Sequence, residues 1–163
     1  MDAPNPREPE PAGVSAVLAL AMAVASFFAL AILGLGVLSN LTDTDIIAVP
    51  GIGAAPGVFG MLAAVAFFAL PLWSALRRAA PSFVSVPVIA LTSALAHLVV
   101  VWLTVLFGSG DLVLATVVAG GFVRGGASLV LLLAAAVAGW GGIALRRTHA
   151  RHPRWPWERD EPE

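Results

Sequence analysis

Histidine is the side chain best suited to proton or ligand chemistry near neutrality, and of the three in this chain only His97 lies inside a long apolar run. Residues 84–107 around it carry no charge, and an ionisable group in such a run is costly if the surroundings are lipid. At helical spacing Ala90, Ser93, His97 and Thr104 fall along one stripe, a small and polar face suited to hydrogen bonding across helices. Two roles follow for His97. It is a proton relay or ligand contact, or it is a neutral ring hydrogen-bonded to a neighbouring helix. No acid lies within another apolar run to hold it charged, which favours the second.

The remaining polar groups suggest less. Asp43, Asp45 and Asp111, together with Arg124, would make a mouth for a cation or polar ligand if two loops packed together; charges on solvated loops contribute little otherwise. Ligation of haem by paired histidines is not expected, because His97 has no second apolar-run histidine to face it. His149 and His152 stand beside Arg147 and Arg151, poor company for a cation. The absence of cysteine excludes a disulfide framework, a thiol nucleophile and thiolate metal sites. No cofactor or metal is expected. The stretch GIGAAPG, with Gly51, Gly53 and Gly57, lacks the preceding strand of a phosphate-binding loop. Asn40, Leu41 and Thr42 match a glycosylation triplet that is common by chance.

The frame that must position these groups is legible from composition. Of the 163 residues 59% are hydrophobic and 12% charged, against roughly 45–50% and about 25% in soluble domains. Four uncharged stretches, about 14–38, 57–76, 84–107 and 127–145, reach the ~20 residues a helix needs to cross a bilayer. The first is too long, and its leader too acidic, for a cleavable signal. The expected fold is therefore all-α: an integral membrane four-helix bundle. Residues 1–13 form a disordered tail, 14–147 the transmembrane domain, and 148–163 a tail rich in arginine, tryptophan and proline. Residues 112–126 are too short to cross, and read either as a short helix capped by Asp111 or as the start of a longer last span. Pro71 is expected to kink the second span.

Arginine placement orients the bundle, since cytoplasmic loops are enriched in basic residues. Arg7, Arg77, Arg78, Arg146, Arg147, Arg151, Arg154 and Arg159 fall on one side of a four-span arrangement and only Arg124 on the other. Both termini are thus expected in the cytoplasm of a multi-pass protein of the cell membrane. Trp73, Trp102 and Trp140 fall near span ends, where indoles anchor. Ala21, Ala25 and Ala29 in the first span and Ala134, Ala138 and Gly142 in the last provide small residues four apart, suited to close packing within the bundle or between subunits. The tail, with Trp155 and Trp157 among arginines, is expected to lie on the anionic inner leaflet, with a docking peptide as the alternative.

The acidic loop at residues 43–57 and the PRWPWE stretch at 153–158 resemble a group of small four-helix actinobacterial membrane proteins of unknown function. That resemblance implies a membrane location and no activity. The spans lack charged pairs, metal ligands and nucleophile constellations, so the expected role is non-enzymatic: an accessory or self-associating membrane subunit. Its partners would be the lipid bilayer, a second copy or another membrane protein, and not nucleic acid. The alternative is a small oligomeric transporter or channel lined by His97 and its stripe.

Overall fold

The computed structural model of the chain describes residues 14–43, 51–78 and 80–148; Asp45, His149, His152 and both tails lie outside them. Five helices follow in order: α1 (Ala16–Thr42), α2 (Ala55–Leu76), α3 (Ser85–Ser109), α4 (Leu112–Arg124) and α5 (Ala127–Arg147). There is no strand element among the described residues. α1, α2, α3 and α5 are each long and apolar enough to cross a membrane. The fold is a helical bundle, and the chain is an integral membrane protein.

The spans begin and end within a few residues of the expected positions, and capping accounts for most of the differences. Ser15 caps α1, its hydroxyl accepting from the Leu18 amide at 3.2 Å. At the other end α1 runs past residue 38 to Thr42, because Asn40 and Thr42 continue the helix and Asp43 stops it in a left-handed conformation with φ of 51°. α2 starts two residues early, using Pro56 in its first turn, where a missing amide hydrogen costs nothing. Pro71 does sit inside α2, and the carbonyl it cannot engage, that of Phe67, lies 3.5 Å from the Thr92 hydroxyl of α3.

α1 and α5 run antiparallel and close together. A Cβ built on Gly142 would lie 2.8 Å from the Ala23 Cβ and 3.5 Å from the Ala19 carbonyl oxygen. Higher up, a Cβ on Gly34 would meet Val130 at 2.5 Å. Lipid offers no hydrophobic drive for helices to associate, so contact of this kind rests on dispersion between backbones that small residues bring together. The set Ala134, Ala138 and Gly142 is buried, as packing within the bundle requires. In α1, however, the inward face is Ala19, Ala23, Phe27 and Ala31, whereas Ala21, Ala25 and Ala29 point outward. In the lower bundle Phe27 of α1 stacks on Phe68 of α2 with centroids 4.7 Å apart, within a filled core that includes Leu72, Leu76, Leu131 and Ile143.

One end of the bundle is basic and the other acidic. At the basic end Arg146 ties three helices: its Nε donates to the Leu76 carbonyl at 3.4 Å and a terminal nitrogen donates to the Val14 carbonyl at 3.2 Å. Leu76 ends α2 and Val14 precedes α1, so one guanidinium serves a bare C-terminal carbonyl of α2 and the carbonyl of the segment leading into α1. Arg146→Ala is expected to lower stability by about 1.5 kcal/mol, the lower range for hydrogen bonds to charged groups; unfolding of the detergent-solubilised protein would measure it. Arg77 lies over Trp73 and Arg147 over Phe83.

The ambiguous stretch forms a separate helix. Asp111 caps α4, accepting from the amides of Val113 and Leu114 at 2.8 and 3.1 Å. α4 spans 13 residues, about 20 Å, too short for a ~30 Å core. It doubles back along the end of α3: Val105 and Ala115 share a small core, and the Trp102 indole donates to the Thr116 hydroxyl at 3.3 Å. Trp102 is thereby held between two helices. Gly126, with φ of 86°, then makes the turn into α5, a conformation that suits glycine.

Candidate functional site

His97 occupies the centre of α3 but the upper part of the bundle. A Cβ on Gly60 would lie 3.0 Å from its Cδ2 and 3.1 Å from its Nε2, so the imidazole rests against the α2 backbone at a position that only glycine leaves free. Gly60 stands eight positions above Phe68, the partner of Phe27. At 1.5 Å per residue His97 therefore lies about 12 Å above that aromatic layer, near the level of Leu35 on the antiparallel α1. On another side Phe122 of α4 approaches the imidazole with centroids 5.6 Å apart. The ring is 3% exposed, and its Nδ1 is buried without a hydrogen-bond partner. A buried polar nitrogen left unmet costs about 1–3 kcal/mol.

A cleft of about 610 Å³ opens beside this ring. Its α1 wall consists of Phe28, Ile32, Leu35, Gly36, Ser39, Asn40 and Asp43, spaced as one continuous helix face. From Phe28 to Asp43 that face extends about 22 Å along the axis. It grades from apolar at depth to polar at the acidic end. α2 contributes Gly57, Val58 and Met61, α3 contributes His97 and α4 contributes Phe122. Asp43 is the one charged residue among these. Below Phe28 the stack of Phe27 on Phe68 closes the interior.

The polar stripe of α3 is used unevenly. The Ser93 hydroxyl donates to the Ala64 carbonyl of α2 at 2.9 Å and is fully buried, a bond across helices of the expected type. Thr104 turns back on its own helix, donating to Val100 at 2.7 Å. Of Ser93, His97 and Thr104, His97 alone lines the cleft. The acidic mouth is not assembled from the described residues. Asp111 is engaged as a helix cap, and Arg124, at the other end of α4, bonds the Gly120 carbonyl through Nε at 3.3 Å. The length of α4 separates the two by about 20 Å. Asp45 lies outside the described residues.

Phe122 and the α1 face were not singled out by residue type. A signal existed for the latter: Phe28, Ile32, Leu35, Ser39 and Asp43 recur at three- and four-residue spacing, but the same holds for other faces of so uniformly apolar a helix. The buried Ser128 hydroxyl, also unpartnered, stands apart from the cleft lining. Comparison with protein-family models, with curated proteins and with solved structures yields no match.

Proposed function

We propose that this integral membrane protein is non-enzymatic and acts by binding a lipid-like amphiphile in the cleft between α1 and α2. The observation that carries the reading is a cleft graded from polar to apolar, with the largely buried His97 in its lining. An amphiphile in one leaflet has the same order: head group, hydrogen-bonding linkage, chain. The head would sit at Ser39, Asn40 and Asp43, a carbonyl or hydroxyl of the linkage would meet His97, and the chain would lie along Ile32, Phe28 and Phe122. In the cell the acidic end faces outward and both termini are cytoplasmic; the segregation of arginines to the opposite end supports this.

The filled layer under the cleft supports binding over passage, since a route to the basic end would have to part Phe27 from Phe68. Nδ1 meets neither an acid nor a hydroxyl among the described residues. As an accessory subunit the protein would present or hold such a molecule for a larger complex. The outward face of Ala21, Ala25 and Ala29 suits self-association, as a second reading.

The test is photolabelling of the full chain in phospholipid vesicles with a hexadecyl alcohol carrying a diazirine in its chain. Adducts are expected on Phe28, Ile32 and Phe122, in preference to apolar positions such as Leu62 and Val99 that are comparably exposed but lie outside the cleft lining. Labelling spread evenly over all outward and cleft positions would overturn the reading.

A further inference from the structure

The cleft has a sign of charge as well as a polarity gradient. Two helix termini meet at its mouth, the end of α1 and the beginning of α2. A helix end carries about half an elementary charge, negative at the C-terminus and positive at the N-terminus, so the two largely cancel there. What remains is the full carboxylate of Asp43, which lines the cleft with no basic residue among the described lining positions. Arg124, two residues beyond the cleft-lining Phe122, bonds its own helix and is not among the described lining positions. The α1 turn that presents Asp43 is fixed: the residue holds a left-handed conformation, and its amide is engaged by the Ser39 carbonyl.

We propose that the cleft selects amphiphiles whose head group is a monovalent cation of the ammonium type, held at Asp43 while the chain descends past His97. This rests on the amphiphile reading and adds the class of head group. Asn40 beside Asp43 supplies a neutral polar neighbour, which suits a singly charged head better than a divalent metal ion, whose oxygen ligands would number six or more for calcium. An anionic head would meet the carboxylate unscreened at the rim and be disfavoured.

Three photoreactive hexadecyl probes with one chain and different heads, trimethylammonium, hydroxyl and sulfate, test the proposal on the full chain in vesicles. The trimethylammonium probe is expected to label Phe28, Ile32 and Phe122 about fivefold more than the hydroxyl probe, equivalent to about 1 kcal/mol for a partly solvated ion pair. The sulfate probe should label less than either. Asp43→Asn should remove the preference, so that the trimethylammonium and hydroxyl probes label the cleft equally, and raising the salt concentration should shrink the preference in the wild type. Equal labelling by ammonium and sulfate probes would overturn the head-group assignment while leaving amphiphile binding in place. Absence of cleft-specific labelling by all three would instead remove the binding reading itself. A preference that survives Asp43→Asn would also overturn the assignment, since its source would lie elsewhere.

Discussion

Gly142→Leu is expected to separate α1 from α5 and to lower the stability of the bundle by about 3 kcal/mol or more. Even the Cβ of alanine at this position would lie 2.8 Å from the Ala23 Cβ, and the Ala19 carbonyl, part of the helix backbone, is 3.5 Å away. The neighbour in contact is a methyl fixed to its own main chain, with no rotamer through which to retreat. Relief therefore requires the helices to move apart. Overpacking of a core costs about 1–3 kcal/mol, and Gly142→Ala should fall in that range. A leucine extends the clash by three more carbons along a seam whose other members, Ala134 and Ala138, are also buried. With ~5–15 kcal/mol available to an ordinary domain, the loss is a large part of the whole. Gly141→Leu is the control, because nothing lies within 4 Å of a Cβ there. Unfolding in mixed micelles by increasing dodecyl sulfate, followed by tryptophan fluorescence, should show Gly141→Leu close to wild type and Gly142→Leu unfolded at much lower dodecyl sulfate. Equal stability of the two variants would mean that α1 and α5 do not meet along this seam.

Gly36→Trp is expected to abolish amphiphile binding without unfolding the protein. Gly36 lines the cleft wall near the level of His97, and a Cβ built on it meets nothing within 4 Å. It has no positive φ to strain a side chain. The indole would enter the open volume and lie where the upper part of a chain is expected. Labelling of Phe28 and Ile32 by the trimethylammonium probe should fall at least tenfold, while dodecyl sulfate unfolding should stay near that of the wild type. The contrast with Gly142 is the informative part: two glycines in helices, one against a backbone and one against empty space, with opposite consequences for stability and binding.

The number and approximate bounds of the four spans could be read from uncharged length alone, because a bilayer requires about 20 apolar residues and tolerates few interruptions. The helix face that each span buries could not. In α1 alanines occur on several faces, and the stripe of Ala21, Ala25 and Ala29 has the same spacing as the buried Ala19 and Ala23. Periodicity separates a polar face from an apolar one; it cannot rank two apolar faces when lipid solvates both. The α3 stripe was more legible, since its hydroxyls and imidazole stand out from their surroundings. Ser93 reaches across to Ala64, but Thr104 satisfies itself one turn back, an option always open to a helical threonine. The cleft required knowledge that α1 and α2 diverge above Phe27 and Phe68, and that α4 brings Phe122 down onto His97. The second depends on the break at Gly125 and Gly126, whose turn returns the chain into the bundle at the level of Leu38.

The chain contains no cysteine, so single cysteines can report on the cleft without a background. Gly36→Cys and Val99→Cys place a thiol on the cleft wall and on the outward face of α3, respectively, and a small membrane-impermeant methanethiosulfonate is applied from the side of the acidic end to the full chain in vesicles. The account predicts that the thiol at position 36 reacts, that hexadecyltrimethylammonium slows its reaction several-fold, and that the thiol at position 99 stays inert throughout. A thiol at position 36 that is as unreactive as the one at position 99, or one whose reaction the amphiphile leaves unchanged, would contradict the existence of a cleft that binds from that end.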